Sequence, residues 1–354
     1  MDTIETNLDA FIEQNKAPSV AYIYFTADSI KHEYYKGFSD VGKQKQITEH
    51  TLYKAFSTTK TFTALAILQL AEKGMLDVNQ PAASYLPEFP FYKEITVKQL
   101  LSHSSGIPNP MPLKWIHLQN EHHHFNERDF FAPIIHDNTT LKFQPNEKFR
   151  YSNLGYLILG QIIEEVSGTK YEDYIQQNII KPIDIQSDEL TYYPEKTVEQ
   201  AKGYQKKYSG INFLLNFLID KKKFMGKPEG DWKPFQPFYV NGAAYGGVIS
   251  SPKALAKYIQ SLLHSDSPLL SNEYKALLFT ENVLSNQKYS GMCLSWFKGN
   301  LNGNIYYTHA GGGGGYYCEI RIYPTLGTGS VIMMNRSGLT DERILDKLDK
   351  YFVD

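Results

Sequence analysis

The chain has 354 residues, 42% of them hydrophobic, and its 36 basic and 38 acidic side chains leave a formal charge of -2. That length and apolar content suit one large domain or two interleaved ones with a buried core, and exclude disorder as the main state. No basic stripe of the kind that tracks a phosphate backbone is present, which argues against nucleic acid as a partner.

The N-terminal MDTIETNLDAFIEQNKAP is acidic and amphipathic, a short first helix that lacks the charged and apolar regions of an export leader. The expectation is a cytoplasmic protein as the chain is written, or an exported one if a leader has been removed. SVAYIYF (19–25) alternates and is rich in β-branched and aromatic residues, and KHEYYKGFSD continues it as the second strand of a hairpin. KAFSTTKTFTALAILQLAEKG follows, in which Phe62, Leu65, Leu68 and Met75 keep a helical spacing. Ala64, Ala66, Ile67, Leu70 and Ala71 fill the other faces, so the spacing predicts a helix buried all round, ended by Gly74.

From about 75 to 240 the signals are mostly helical, with Pro-rich connections and clear helices at ITVKQLLSH and NLGYLILGQIIEEVSG. Beyond 240 come GGVISS, a helix at PKALAKYIQSLL, then GMCLSWF, NIYYTHA, YYCEIRIYP and TGSVIMMN as short β-rich runs joined by turns, and a last helix at DERILDKLDKYF. Successive strands on short turns imply an antiparallel sheet. The fold class is α+β: residues 1–74 and 241–354 form an α/β unit and 75–240 a mainly helical one. No apolar run approaches the roughly 18 residues of a membrane span; INFLLNFLI (211–219) contains two Asn. Cys293 and Cys318 have neither metal-ligand nor disulfide-scaffold spacing and read as thiols packed in strands. EHHHF (His122 to His124) offers adjacent side chains that diverge, without a carboxylate partner at helical spacing, so no metal and no cofactor is expected.

Ser-x-x-Lys occurs five times, at Ser57, Ser167, Ser250, Ser285 and Ser295. Ser167 ends a helix, Ser250 is followed by proline, Ser285 lies in a polar loop, and Ser295 falls in an expected strand, where i and i+3 face opposite sides. Only Ser57 opens a buried helix. There Lys60 reaches the Ser57 hydroxyl on the same helix face, and the helix N-terminus favours a developing anion. A partly desolvated lysine has the depressed pKa that a proton acceptor needs. The motif alone leaves two readings open: a nucleophile with its base, or a capping serine with a lysine that snorkels outward.

RYSNLGY places Tyr151, Ser152 and Asn153 ahead of the next apolar helix. Tyr151 near Lys60 can serve as base and then acid, and Asn153 offers a donor and an acceptor to a substrate amide or ester; a buried tyrosine and an Asn helix cap are the alternative. In THAGGGGGYY the glycine run reads either as a hairpin turn or as a strand along a cleft, His309 to Gly311, with the Gly312 N–H beside that of Ser57 and no side chain to block approach.

Together, Ser57-x-x-Lys60, Tyr151-x-Asn153 and His309-x-Gly311 resemble the three motifs of the penicillin-recognising serine hydrolases, a family of class C β-lactamases, DD-peptidases, D-aminopeptidases and esterases. TLYKAFSTTKTFTALAILQLAEKGMLDVNQPAASYLPEF, ITVKQLLSHSSGIP, FRYSNLGYLILGQIIEEVSG and HAGGGGGYYCEIRIYP look like family segments in the right order, from about residue 18 to 336. The resemblance implies an antiparallel sheet flanked by helices plus an all-helical domain, with the site in the cleft between them. It implies that Ser57 forms an acyl-enzyme, Lys60 and Tyr151 shuttle its proton, and Asn153 orients the acyl group. His309 would line the far wall, with Gly311 beside it, while Ser57 and Gly312 hold the oxyanion. The substrate would be a small molecule or short peptide.

One departure is informative. The family's β-lactamases and DD-peptidases usually carry lysine where this chain has His309, largely neutral at pH 7 if unperturbed. The expectation is therefore an ester or amide without an obligatory carboxylate, closer to the esterase and D-aminopeptidase branches than to a dedicated β-lactamase. The alternative is a penicillin-binding or receptor-type protein that acylates with little turnover. The aromatic segment from 204 to 239 reads as core and solvated surface, or as a cleft-edge flap favouring apolar acyl groups.

Overall fold

The structure, a computed structural model, describes residues 3–210, 219–337 and 343–354. Helix α1 (Ile4–Glu13) leads into β1 (Ser19–Thr26) and β2 (Ile30–Asp40), the expected hairpin. A two-residue strand β3 (Lys45–Gln46) pairs with β2 at one edge. The C-terminal strands Phe297–Leu301, Asn304–Gly313, Tyr316–Tyr323 and Thr328–Met334 follow one another by short turns, and the last of them pairs with β1 from Val20 opposite Met334 to Thr26 opposite Thr328. All seven strands are antiparallel, and the two ends of the chain build one sheet.

Both faces of that sheet are covered. Val20, Tyr22 and Tyr24 pack with Ile4 and Leu8 of α1 and with Ile344, Leu345 and Leu348 of the last helix. The alternate residues Ala21, Ile23 and Phe25 join the larger core that includes Leu255, Ile259 and Leu262 of the Pro252–Leu263 helix. This is the period-2 alternation of a strand between two apolar layers. The tail of the chain re-enters through polar links: Asp349, fully buried, accepts from the hydroxyls of Tyr22, Tyr323 and Ser330.

Behind the sheet runs α2 (Thr59–Glu72), whose side chains from Thr59 to Ala71 are all buried. It packs against the Asn153–Ser167 helix and the short Ala243–Gly246 helix. Gly74 ends it with φ of +70°, its N–H donating to Ala71 O and that of Met75 to Leu70 O. Met75 therefore lies past the helix and is 46% exposed, outside the core stripe its spacing suggested. Helices dominate the intervening chain, yet it also holds two three-residue ladders, Ile116–Leu118 with Phe238–Val240 and Tyr204–Lys206 with Trp232–Pro234. Such short ladders show too few alternating positions to register in sequence.

GMCLSWF is not the strand its composition predicts. Ser295 has φ of +75°, and the regular strand starts at Phe297. Cys318 sits buried in a strand, whereas Cys293 is buried outside one, its thiol donating to the Phe279 carbonyl. The triple histidine closes a turn in which His122 bonds to His117 while His123 and His124 point to solvent. Most of INFLLNFLI, from 211 to 218, lies outside the described residues.

Candidate active site

The chain leaves the short strand Tyr53–Lys54 and turns through Phe56, a non-glycine residue with φ of +47°. Left-handed backbone at such a residue is strained and persists where the surroundings impose it. Phe56 to Thr58 form a tight 3-10 turn and α2 begins at Thr59. No side-chain cap is made at either start: Thr58 donates its hydroxyl back to Ala55 O, and the Ser57 hydroxyl meets Lys60 Nζ at 3.3 Å. The capping reading of Ser57 is thus replaced by a serine–lysine contact.

The snorkelling reading of Lys60 is replaced as well. Lys60 is fully buried, and its Nζ lies 2.9 Å from Asn153 Oδ1 and 2.7 Å from the Tyr245 carbonyl oxygen. The rings of Tyr151, Tyr156 and Tyr245 surround it at 4.9, 5.5 and 5.2 Å. Burial alone pushes its pKa well below the ordinary lysine value of 10.5.

Asn153 is the first residue of its helix, not the cap. Ser152 caps it by accepting from the Gly155 N–H at 3.2 Å, and the Asn153 N–H is held by Asn109 Oδ1 at 3.0 Å. Tyr151, just before the cap, packs against the tilted ring of His103 with centroids 4.3 Å apart and lies 6.3 Å from the ring of His309.

The five-glycine run serves both purposes weighed for it. Gly313 pairs with Tyr316, so Gly314 and Gly315 form a two-residue hairpin turn with φ of +48° and +90°. The same strand passes against the Ser57 turn. A β-carbon on Gly311 would stand 2.1 Å from Ala55 O and 2.7 Å from Ser57 N, whereas one on Gly312 would meet nothing nearer than 3.5 Å. Close approach therefore demands glycine at 311, not at 312 as the sequence suggested.

A pocket of about 120 Å³ opens beside Ser57. Asn153 and Gly312 border it, and Leu113, Trp115, Phe235 and Val240 make it apolar. No charged side chain borders it among the described residues. His309 does not form its wall. It is fully buried beneath the strand, with Nδ1–H donating to the Ser295 carbonyl, and Nε2 has no hydrogen-bond partner among the described residues. Burial, with the Lys60 amine nearby, takes its pKa down to about 3, so the ring is neutral and Nε2 is an acceptor.

His103 was missed in sequence. It lies in ITVKQLLSH, where only the helical period drew attention, and no local pattern ties it to a tyrosine 48 positions on.

These features are those of the β-lactamase and transpeptidase-like fold, a large antiparallel sheet with helices and a partly buried serine–lysine contact. The chain belongs to the beta-lactamase family, whose sequence profile matches residues 4–351. It is 28% identical over 289 residues to "Penicillin-binding protein 4*" of Bacillus subtilis (strain 168), covering 79% of this chain and 60% of that protein. The chain thus spans three fifths of that relative's length. It superposes on the octameric penicillin-binding protein homologue from Pyrococcus abyssi with a TM-score of 0.74 at 27% identity, covering 95% of this chain and 73% of the other. D-amino acid amidase from Ochrobactrum anthropi SV3 shares the fold, with a TM-score of 0.75 at 20% identity over 99% of this chain and 97% of that one. No helix among the described residues is long and apolar enough to cross a membrane.

Proposed function

We propose that the protein is a serine hydrolase that cleaves an ester or amide, β-lactams included, through an acyl-enzyme on Ser57. The arrangement around Lys60 Nζ carries this reading. Two of its three partners, Asn153 Oδ1 and the Tyr245 carbonyl, can only accept, so they take the two N–H bonds of a neutral amine. The lone pair is left for the Ser57 hydroxyl.

Ser57 Oγ attacks the carbonyl carbon while its proton passes to Lys60 Nζ. The oxyanion is held by the backbone N–H groups of Ser57 and Gly312, Gly311 being the residue that lets the strand approach. Collapse breaks the bond to the leaving group, which takes the proton from Lys60 by way of Tyr151. Water then attacks the Ser57 ester as the same groups accept its proton; the acid leaves and the Ser57 hydroxyl is restored. With Oδ1 engaged by Lys60, Asn153 has its Nδ2 to offer the acyl group. We place the site between two units, 1–74 with 241–354 and 75–240, since Ser57, Lys60 and Gly312 come from the first and Tyr151 and Asn153 from the second.

The uncharged apolar pocket supports a neutral, apolar acyl group. Among the described residues no cation borders the pocket to hold a carboxylate, so an esterase or D-aminopeptidase-like preference is favoured over a dedicated β-lactamase. Ile219 and Phe235 border the pocket, which supports the flap reading for the segment around them. The names of the Bacillus and Pyrococcus relatives favour a second reading, a penicillin-binding protein that acylates with little turnover. Release of p-nitrophenol from p-nitrophenyl butyrate well beyond one equivalent per chain supports the first reading. A burst of one equivalent without turnover supports the second. Nitrocefin and D-amino-acid anilides assayed beside the ester rank the substrate classes.

A further inference from the structure

We propose that His103 is the residue that positions Tyr151, by holding the backbone on both sides of it and packing against its ring; the inference rests on the role given to Tyr151 above. The His103 carbonyl accepts the Arg150 N–H at 2.8 Å, and its Nδ1 accepts the Ser152 N–H at 3.1 Å. The residues on either side of Tyr151 are thus fastened through their N–H groups to one residue. The imidazole lies against the Tyr151 ring at 4.3 Å, with Tyr156 at 4.9 Å on its other contacts.

This arrangement requires a neutral imidazole of one tautomer. Nδ1 must keep its lone pair for Ser152, so the proton is on Nε2. Burial, with the Lys60 amine and His309 close by, holds the ring well below the usual imidazole range and keeps that acceptor in place. The same loop then sets the next two residues: Ser152 caps the following helix, and Asn153 starts it with Oδ1 on Lys60.

His103 is costly to stability in two respects. It has φ of +53°, and its buried Nε2 has no hydrogen-bond partner among the described residues. Strained backbone and a bare buried donor each cost free energy. A residue retained for packing alone gains nothing from either.

The test compares two variants that both suit left-handed backbone. His103→Gly removes the ring, and His103→Asn retains a side-chain oxygen to accept the Ser152 N–H. With p-nitrophenyl butyrate, His103→Gly is expected to lose about 30- to 100-fold in kcat with KM within about threefold, the cost of a misplaced catalytic group. His103→Asn is expected to recover most of that loss. Tyrosine labelled with 13C at Cζ gives a second readout, the Tyr151 signal being identified through Tyr151→Phe. It is expected to be one sharp line in the wild type and in His103→Asn, and broadened or split in His103→Gly. An unchanged Tyr151 line in His103→Gly overturns the proposal, as does a kcat loss that His103→Asn does not relieve. If His103→Gly does not fold, a broadened line in His103→Asn overturns it. If the wild type has no turnover, the hydrolase reading fails, and the Tyr151 line still decides the role of His103.

Discussion

Lys60 Nζ donates to Asn153 Oδ1 across 2.9 Å, joining the starts of two buried helices that lie 93 residues apart in the chain. The bond does more than tie helices together. It engages one N–H of an amine that has no carboxylate beside it among the described residues, in a place where burial disfavours the charge. In the proposed mechanism the amine keeps a basic lone pair for the Ser57 hydroxyl.

Ser57→Ala and Lys60→Met should each lower ester turnover by at least about a thousandfold, as loss of a nucleophile or its base does elsewhere. Ser57→Ala should leave the melting temperature near that of the wild type. In the wild type, kcat/KM should rise with pH as Lys60 loses its proton, with a midpoint well below 10.5. A pH–rate profile whose rising limb is centred at the ordinary lysine value would contradict the assignment of Lys60 as base.

Gly311→Ala should destabilise the fold by at least about 2 kcal/mol, because its β-carbon collides with backbone atoms of Ala55 and Ser57 that cannot swing aside. Gly312→Ala has no such collision and should keep the fold. Urea denaturation of the two variants checks the contrast; equal stabilities would place the close approach elsewhere.

His309 sits at about 3 in the folded chain against 6.5 for a free imidazole. Between those values the unfolded chain binds more protons than the folded one, so stability is fully present above the free value and falls as the solution is acidified. His309→Gln should therefore show a shallower fall in melting temperature between pH 7 and pH 4 than the wild type. Glu127, raised to about 8 by burial, has the opposite sign, but it is common to both proteins and cancels in the difference.

Much of this was legible in the chain. The alternation of SVAYIYF and the all-round apolar helix after Ser57 were read correctly because both carry a full period of side chains. The Gly-rich run announced a turn, and its two-residue turn is where that signal led. The strand expected at GMCLSWF failed because Ser295 is held in left-handed backbone by contacts from afar: its N–H goes to Leu101 O and its carbonyl to His309. Met75 failed because the helix ends at Glu72, two residues before the left-handed Gly74 that turns the chain away.

The sequence by itself determined which side chains could do chemistry: a serine three residues before a lysine on an apolar helix, a tyrosine and an asparagine before another, and glycines on a strand. Only the tertiary structure decided their states. Whether Lys60 is a base or a surface cation depends on how completely water is removed from it. Which nitrogen of His309 or His103 holds the proton depends on a carbonyl or an N–H brought from a distant segment. Both are properties of surroundings assembled by folding, and no local spacing encodes them.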